Sequence, residues 1–196
     1  MEQQFVIDPG IEVGGGSIGS IIDAFQQYPS IVTKYLVQSG LLTGKQSQID
    51  RAAWYPLDKW LSVYHSIAKD VGLNSLYTIG KKVPEYVELP PQVTDIRSLF
   101  STLNIAYHLT HRKNGVVMFD PSTGKMLDGI GNVTCDFAGD ERKLTLKFEN
   151  PYPCEFDRGL IHAFAMRFEP AARVVHDSNA PCRKKGASSC TYVVSW

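Results

Sequence analysis

Three cysteines in the last quarter of the chain have residue types and spacings that suit a metal site. Cys182 and Cys190 are separated by seven residues that include Gly186, and Cys154 lies upstream. A β-hairpin there would place both later thiols at one end of the ribbon, because Gly186 tolerates the positive φ of a tight reversal. Three thiolates with one nitrogen or oxygen ligand form a common tetrahedral zinc site. The pattern therefore predicts a closed, structural zinc site that ties the hairpin to the helix after Cys154.

Two alternatives remain open for the same thiols. Cys182 and Cys190 could pair as a disulfide across the hairpin, or all three could be reduced core cysteines. The fourth cysteine, Cys135, lies inside a predicted strand and is expected to be a small core residue.

A second group with possible chemistry is the pair of histidines near the end of a predicted helix. His108 and His111 fall on a polar stripe of that helix, away from its apolar face. They are candidates for haem or metal ligands, although a polar stripe is more commonly the solvent-facing side of a helix.

A set of aromatic side chains could line a ligand cavity between the helices and the sheet. The same set could equally be a filled core, which is the commoner outcome. The pocket candidates are Trp60, Tyr64, Phe100, Tyr107, Phe164 and Phe168.

Composition and motifs restrict the function classes. The formal net charge is zero, which argues against a nucleic-acid-binding footprint over the whole chain. No apolar run approaches 18 residues and no signal-peptide pattern is present, so we expect a cytoplasmic protein with no membrane span. The glycine-rich segment at 14–19 matches neither a phosphate loop nor a dinucleotide fingerprint, and no nucleophile elbow occurs, so enzymatic activity has little support.

Apolar periodicity predicts the elements that must position these residues. Helical spacing covers residues 57–71 and 73–83, a stretch that begins at Asp95, and another that begins near Phe156. Strand-like runs occupy residues 116–119, 126–137, 143–148, 173–176 and 191–196. The resulting fold class is α+β, with N-terminal helices packed on an antiparallel sheet that ends in the Cys-x7-Cys hairpin. Residues 1–16 are expected to be a flexible arm, or a short edge strand followed by a hinge at the glycines 14–16. Residues 17–196 are expected to be a single domain with a helical part at 17–92 and a helix, sheet and hairpin at 93–196.

Residues 116–196 resemble the vinyl-4-reductase-type (4-vinyl reductase) domain in the order of their elements. That order is meander strands, an amphipathic helix after a cysteine, a short strand and a Cys-x7-Cys hairpin ending in an aromatic strand. The family includes proteins linked to bacteriochlorophyll synthesis, sensor halves of phenol-responsive activators and archaeal stand-alone members. It is related in fold to palmitate-binding, TRAPP-type vesicle-tethering subunits.

The resemblance implies a zinc site and a hydrophobic ligand. In the phenol sensors the zinc ligands are an upstream cysteine, an acid just before the hairpin and the two hairpin cysteines. Cys154, Cys182 and Cys190 match by position, but Asn179 stands where the acid is expected. Asp177 and His176 are then the nearest candidates for the fourth ligand.

The function predicted from these observations is hydrophobic small-molecule sensing within a bacterial signalling or regulatory system. We expect a homodimer, and a signalling partner or output domain is a further expectation. The alternatives are an enzyme such as a reductase acting on a tetrapyrrole-like substrate, a haem-binding sensor, and a dimeric scaffold module.

Overall fold

Proline, glycine and aspartate residues set the ends of the helices in this chain. The computed structural model describes residues 7–23, 29–43, 48–139 and 142–196. Six α-helices occur within these ranges: α1 (Gly15–Asp23), α2 (Pro29–Gln38), α3 (Leu57–Val71), α4 (Leu73–Lys82), α5 (Ile96–Leu109) and α6 (Cys154–Met166). Pro56 precedes α3, and Gly72 ends it with a φ of 102°. At the start of α5, the Asp95 carboxylate accepts the Ser98 backbone N–H in a capping box.

The strands are short and pair antiparallel. In the described residues they are β1 (Ile11–Gly14), β2 (Trp54–Pro56), β3 (His111–Lys113), β4 (Val116–Val117), β5 (Phe119–Asp120), β6 (Lys125–Met126), β7 (Asn132–Phe137), β8 (Lys143–Glu149), β9 (Arg173–His176) and β10 (Cys190–Ser195). One sheet has the order β2-β1-β3-β4, a second has β7-β8-β10-β9, and β5 pairs with β6. The predicted α+β fold with helices on antiparallel sheets is confirmed.

Two hydrophobic clusters form the core. The first surrounds α3 and includes Trp60 and Tyr64, whereas the second lies between α5, α6 and the β7-β8-β10-β9 sheet. Tyr107 and Leu160 pack against both clusters. The helical and sheet-bearing parts of the chain therefore share packing contacts.

The described part of the N-terminal segment contains a strand, as one of the two expectations had it, but this strand lies inside a sheet rather than at its edge. Residues 1–6 lie outside the described residues, but Ile11–Gly14 form β1, which pairs with both β2 and β3. The side chains of Ile11 and Val13 are 4% and 1% exposed, so their burial fixes this strand inside the first sheet. Helix α1 then starts at Gly15, within the glycine run that was expected to be a hinge.

The C-terminal hairpin has a longer connection than the cysteine spacing suggests. β10 pairs antiparallel with β9, and Tyr192 stands opposite His176. Cys182 lies in the connection, just before a 3-10 turn at Arg183–Lys185, and Cys190 is the first residue of β10. Gly186 adopts the left-handed conformation, with a φ of 87°, as the sequence predicted. This turn brings the chain back so that Cys182 and Cys190 lie close together.

Helices α4 and α6 cross at two glycines. A Cβ atom on Gly80 would lie 2.1 Å from the Phe156 carbonyl oxygen, and one on Gly159 would lie 2.1 Å from the Tyr77 carbonyl oxygen. Each glycine therefore lets the backbone of the other helix approach directly. This crossing holds the N-terminal end of α6, with Cys154, next to α3 and α4.

None of the helices in the described ranges is both long and apolar enough to cross a membrane.

Candidate functional site

A cleft of about 830 Å³ lies between the helices α3 and α4 and the segment that leads into α6. Its first wall is mainly apolar and includes Leu61, Ala68, Leu73 and Leu76. The opposite wall combines residues 150–155 with the turn after Cys182. That second wall is lined by Asn150, Pro151, Tyr152, Pro153, Cys154, Glu155, Arg183, Lys184, Ala187 and Ser188.

Tyr64 lines the cleft and has a buried hydroxyl. The residue is 1% exposed and lines the cleft, and its hydroxyl has no hydrogen-bond partner among the described residues. Burial raises the pKa of this phenol well above its ordinary value, and the nearby Trp60 side chain opposes the shift without making a hydrogen bond of acceptable geometry. A buried hydroxyl without a partner is unfavourable, so it marks a position where a ligand or water would be stabilised.

Glu155 and His65 add two further polar groups to the cleft. One carboxylate oxygen of Glu155 pairs with Lys184, whereas the other is buried without a partner among the described residues. The exposed His65 ring donates its Nδ1–H to the Leu61 carbonyl oxygen at 3.0 Å. In a neutral ring, that bond favours the tautomer with the proton on Nδ1, in which Nε2 carries a free lone pair.

A buried cluster of three cysteines lies directly behind the polar wall. The Cys190 sulfur is 3.0 Å from that of Cys154 and 3.7 Å from that of Cys182. All three sulfurs lie within 4.8 Å of one another, and Cys154 also lines the cleft. The cysteines predicted to meet are therefore brought together by the fold.

A buried arginine organises the surroundings of the cysteines. Arg183 donates hydrogen bonds to the Cys190 sulfur from its backbone N–H and from Nε, each at 3.4 Å. Its guanidinium also pairs with the buried Asp157 carboxylate and donates to the Tyr152 carbonyl oxygen at 2.7 Å. Burial raises the pKa of Asp157, whereas the Arg183 charge acts in the opposite direction.

The same contacts give the two closest thiols different electrostatic surroundings. The hydrogen bond from Cys154 and the Arg183 charge lower the pKa of Cys190 to about 4, against the opposing effect of burial. The hydrogen bond to Cys190 and burial raise the pKa of Cys154. The Arg183 contacts therefore favour negative charge on Cys190 rather than on Cys154.

The two candidates for a fourth zinc ligand lie apart from the cysteine cluster. His176 stacks on Tyr192 with ring centroids 4.9 Å apart, and its Nε2 is buried without a partner among the described residues. Asp177 accepts the Asn179 backbone N–H at 2.9 Å. Neither residue brings a possible ligand atom into the cysteine cluster. Among the described residues, the group of possible metal ligands there consists of Cys154, Cys182 and Cys190 alone. The zinc site stays a prediction, and Cys135 lies outside the cluster.

The predicted pocket residues do not form one cavity. Tyr64 lines the cleft, and Trp60 packs beside it in the first hydrophobic cluster. Phe100, Phe164 and Phe168 belong to the second cluster or pack against it. Tyr107 contacts both clusters, and its hydroxyl donates to the Ile130 carbonyl oxygen at 2.8 Å.

The two candidate haem ligands are both buried rather than on a solvent-facing stripe, with exposures of 1% for His108 and 2% for His111. His108 Nδ1–H donates to the Asn104 carbonyl oxygen at 2.8 Å. His111 uses both ring nitrogens, because Nδ1–H donates to the Tyr107 carbonyl oxygen at 2.7 Å and Nε2 accepts from the Tyr152 hydroxyl at 2.9 Å. Neither ring lines the cleft.

Sequence reasoning missed Arg183, Asp157 and Asn150. Arg183 begins an Arg-Lys-Lys run that suggests a solvated turn, and Asp157 stands among loop acids near Cys154. Their burial follows from tertiary packing, because Arg183 reaches from the β9–β10 connection to Asp157 on α6. The spacing of 26 residues carries no sequence signal for this pair.

No protein-family model matches the sequence, and no curated protein matches it significantly. Solved structures do match. The H-NOX protein from S. oneidensis in the Fe(II)NO ligation state shares 15% sequence identity with this chain at a TM-score of 0.66, covering 93% of this chain and 98% of that one.

Two further matches are of the same kind. A structure from a study of haem distortion in the H-NOX family has 13% identity and a TM-score of 0.66, covering 93% of this chain and 94% of that one. An oxygen-binding H-NOX domain related to soluble guanylate cyclases, in its oxygen complex, has 12% identity and a TM-score of 0.64, covering 92% and 93%. The chain therefore has the fold of these domains over nearly its whole length.

This finding corrects the resemblance drawn from the sequence. The assignment to the vinyl-4-reductase-type domain is wrong, since the matching structures are H-NOX domains and no family model supports it. The resemblance used the order of elements after residue 116, and it did not include the sheet formed by β1, β2 and β3. The zinc ligands that this resemblance implied therefore lose its support. The observation that still bears on a zinc site is the close approach of the three cysteine sulfurs.

Proposed function

We propose that this chain is a small-molecule sensor domain that binds its ligand in the cleft between α3, α4 and the segment leading into α6. The observation that carries the proposal is a cleft of about 830 Å³ lined by Tyr64, whose buried hydroxyl has no partner among the described residues. This volume falls in the range of about 300–1,000 Å³ that is typical of small-molecule sites. The likeness to H-NOX structures supports the sensor class.

The walls of the cleft favour an amphiphilic ligand with an apolar body and one polar end. Leu61, Ala68 and Leu76 would bury the apolar body, whereas the polar end would face Glu155 and Lys184. A hydrogen-bond donor on the ligand would satisfy the unpartnered Glu155 oxygen, and either a donor or an acceptor would satisfy Tyr64.

Haem is the candidate ligand that the structural matches favour most directly. The residues of the cleft fit it at one position, His65, whose Nε2 lone pair is free to bind iron. His111 does not fit, because an iron bond would displace the buried Tyr152 hydrogen bond. When bound, haem iron would supply the site for a diatomic gas, as NO and oxygen are bound in the matching structures.

The test is a titration of the purified protein with haemin, followed by the visible absorbance band, and with an apolar sulfonate dye, followed by fluorescence. We expect saturable binding of one molecule per chain. Ala68→Trp places a large side chain in the cleft and should weaken binding at least tenfold. Lys69→Trp adds the same side chain to the exposed side of α3 and should leave the affinity unchanged.

The haem alternative has its own control in His65→Ala. If haem binds through this histidine, the variant loses the shifted absorbance band but keeps its affinity for the dye. If both tryptophan variants bind the dye and haemin as the original protein does, the cleft is not the ligand site and the proposed function is wrong.

The homodimer and the signalling partner expected from the sequence remain part of this proposal. A ligand shifts a conformational equilibrium only by its differential affinity for two states, so signalling needs a partner or interface that responds to occupancy. Sedimentation analysis with and without the bound ligand would detect a change in association.

A further inference from the structure

We propose that the crossing of α4 and α6 forms a binding site for a phosphate group, with Lys81 and Arg158 as its cations. Both side chains contact the ring of Tyr77. The Arg158 guanidinium carbon lies 4.3 Å from the centre of that ring, and Lys81 Nζ lies 5.7 Å from it, which are attractive cation–π distances. Neither these cations nor Tyr77 lines the ligand cleft, so this site is separate from the proposed sensor pocket.

Backbone contact at the crossing brings the two cations together. Lys81 and Tyr77 are four residues apart on α4 and therefore share a face of that helix. Arg158 is followed on α6 by Gly159, where a Cβ atom would lie 2.1 Å from the Tyr77 carbonyl oxygen and 3.0 Å from the Lys81 backbone nitrogen. Helix α6 therefore passes directly over this part of α4, and two packed helices rather than loops hold the side chains in place.

Lys81 and Arg158 are half-buried and lack the oxygen partners that comparable cations have. Within the described ranges, neither side chain forms an ion pair or a hydrogen bond. The other half-buried lysine and arginine side chains there each donate to a carbonyl or carboxylate oxygen; these are Arg97, Arg112 and Lys113. Partial burial removes water from a charge, so an unpaired half-buried cation is stabilised by an anion beside it.

His162 joins the same group of side chains. Its Nδ1 and the Tyr77 hydroxyl are hydrogen-bonded at 2.5 Å. Burial lowers the pKa of His162, and the charges of Lys81 and Arg158 act in the same direction, so both cations lie near this one imidazole. Among the described residues no carboxylate forms an ion pair with any of these side chains, and the group therefore carries a net positive charge.

The free donors favour a phosphate group over a carboxylate. An arginine side chain has five N–H donors and can give two parallel hydrogen bonds to one oxyanion. Those two bonds occupy both oxygens of a carboxylate, whereas a phosphate group has a third oxygen for the Lys81 ammonium. A phosphate group also carries a charge of about −1.5 to −2 at pH 7, which matches the two cations. We therefore expect inorganic phosphate or a phosphate monoester, which share this terminal group.

The experiment is a phosphate titration of the whole protein, followed by NMR at the imidazole ring of His162. Sodium phosphate is added at constant pH and ionic strength, with sodium chloride as the balancing salt, and the His162 signals are assigned with His162→Gln. We expect a saturable shift of these signals and a rise in the pKa of His162, because a bound anion offsets the charges of Lys81 and Arg158. The charged and titratable groups that act on the ring in the described ranges are these two cations, together with the hydrogen-bonded Tyr77. Since the titration uses the unaltered sequence, it decides the proposal even if variants fail to fold.

Matched variants test whether the two cations hold the phosphate. Lys81→Gln and Arg158→Gln should each weaken phosphate binding about tenfold or more, since each removes a charge-assisted contact. Lys125→Gln removes an exposed cation on β6, with the same change in net charge, and should leave the affinity unchanged. Glycerol phosphate distinguishes the two sources of the group: binding as tight as that of inorganic phosphate assigns the site to esters, and weaker binding assigns it to free phosphate.

Three results would overturn the proposal. They are the absence of a saturable shift, equally tight binding of acetate, and an affinity that is the same in Lys81→Gln, Arg158→Gln and the original chain. The cleft plays no part in this titration, so failure of dye or haemin binding beside a saturable phosphate shift would count against the proposed function alone.

Discussion

His111 is held in its neutral form by the groups on either side of its ring. Its Nδ1–H donates to the Tyr107 carbonyl oxygen, and its Nε2 accepts the Tyr152 hydroxyl proton. Protonation of Nε2 would turn this acceptor into a donor and break the second bond. Burial therefore lowers the pKa of His111 to about 4, and the nearby His108 acts in the same direction.

The depressed pKa predicts a loss of stability in mild acid. Between about pH 6.5 and pH 4 the unfolded His111 binds a proton and the folded one does not, so the free energy of unfolding falls as the pH falls. The contribution of this residue is up to about 3 kcal/mol across that window, at about 1.4 kcal/mol for each unit of pKa difference. Urea titrations at pH 7 and pH 5 measure it.

The control for this prediction is His111→Gln, which does not titrate. The variant should lose less stability than the original chain between pH 7 and pH 5, although its stability at pH 7 is lower. Parallel losses in the two proteins would show that other groups carry the acid sensitivity, such as His108, whose pKa burial also lowers.

The error about His111 in the sequence analysis has a physical cause. The polar stripe was drawn by continuing the helical period past Leu109, where α5 ends. The chain then enters β3, and His111 turns inward opposite Val13 in the first sheet. Extending the helical pattern beyond the end of α5 therefore misplaced His111, and the stripe also misplaced His108, which lies within α5 and is buried.

At the scale of elements, the crossing of α4 and α6 depends on Gly80 and Gly159. Gly159→Ala would place a methyl group against the Tyr77 carbonyl oxygen, and backbone atoms on a packed helix cannot yield as a flexible side chain can. We expect a loss of about 1–3 kcal/mol or more in the free energy of unfolding, measured by urea titration.

Gly16→Ala is the matched comparison. Gly16 lies in α1, is exposed, and would place its Cβ 3.7 Å from the nearest atom, the Arg51 carbonyl oxygen. Alanine there should be neutral or stabilising by no more than about 1 kcal/mol. Equal effects of the two substitutions would mean that the crossing adjusts freely.

The helices and the strands β8, β9 and β10 were predictable from the sequence, whereas the short strands β1 and β3 were not. The bounds of α3 are marked by Pro56 and Gly72, and the start of α5 by Asp95, because these residues act locally. β1 and β3 span four and three residues, and they pair across about 100 positions of the chain. Such short runs have too few alternating residues to indicate a strand.

At the scale of the whole molecule, the candidate site is assembled from distant segments. The three cysteines were found from the sequence because sulfur chemistry restricts their roles to a few. The cleft and its buried arginine were not found, because they arise only when α3, α4 and the start of α6 are packed together. A single sequence records residue types but not the space between elements.

The two hydrophobic clusters should unfold together, because Tyr107 and Leu160 contact both and α4 packs directly on α6. Trp60 is buried in the first cluster and Trp196 packs against the second, so each reports on one half. We expect the urea midpoint from fluorescence to coincide with that from far-ultraviolet circular dichroism in a variant that keeps only Trp60, and equally in one that keeps only Trp196. Since each variant is compared with itself, any destabilisation by the tryptophan substitutions cancels. A separate earlier transition in either variant would show that one cluster opens alone, and the cleft between the helices and the sheet-bearing part would then be a locally unfolding region rather than a fixed site.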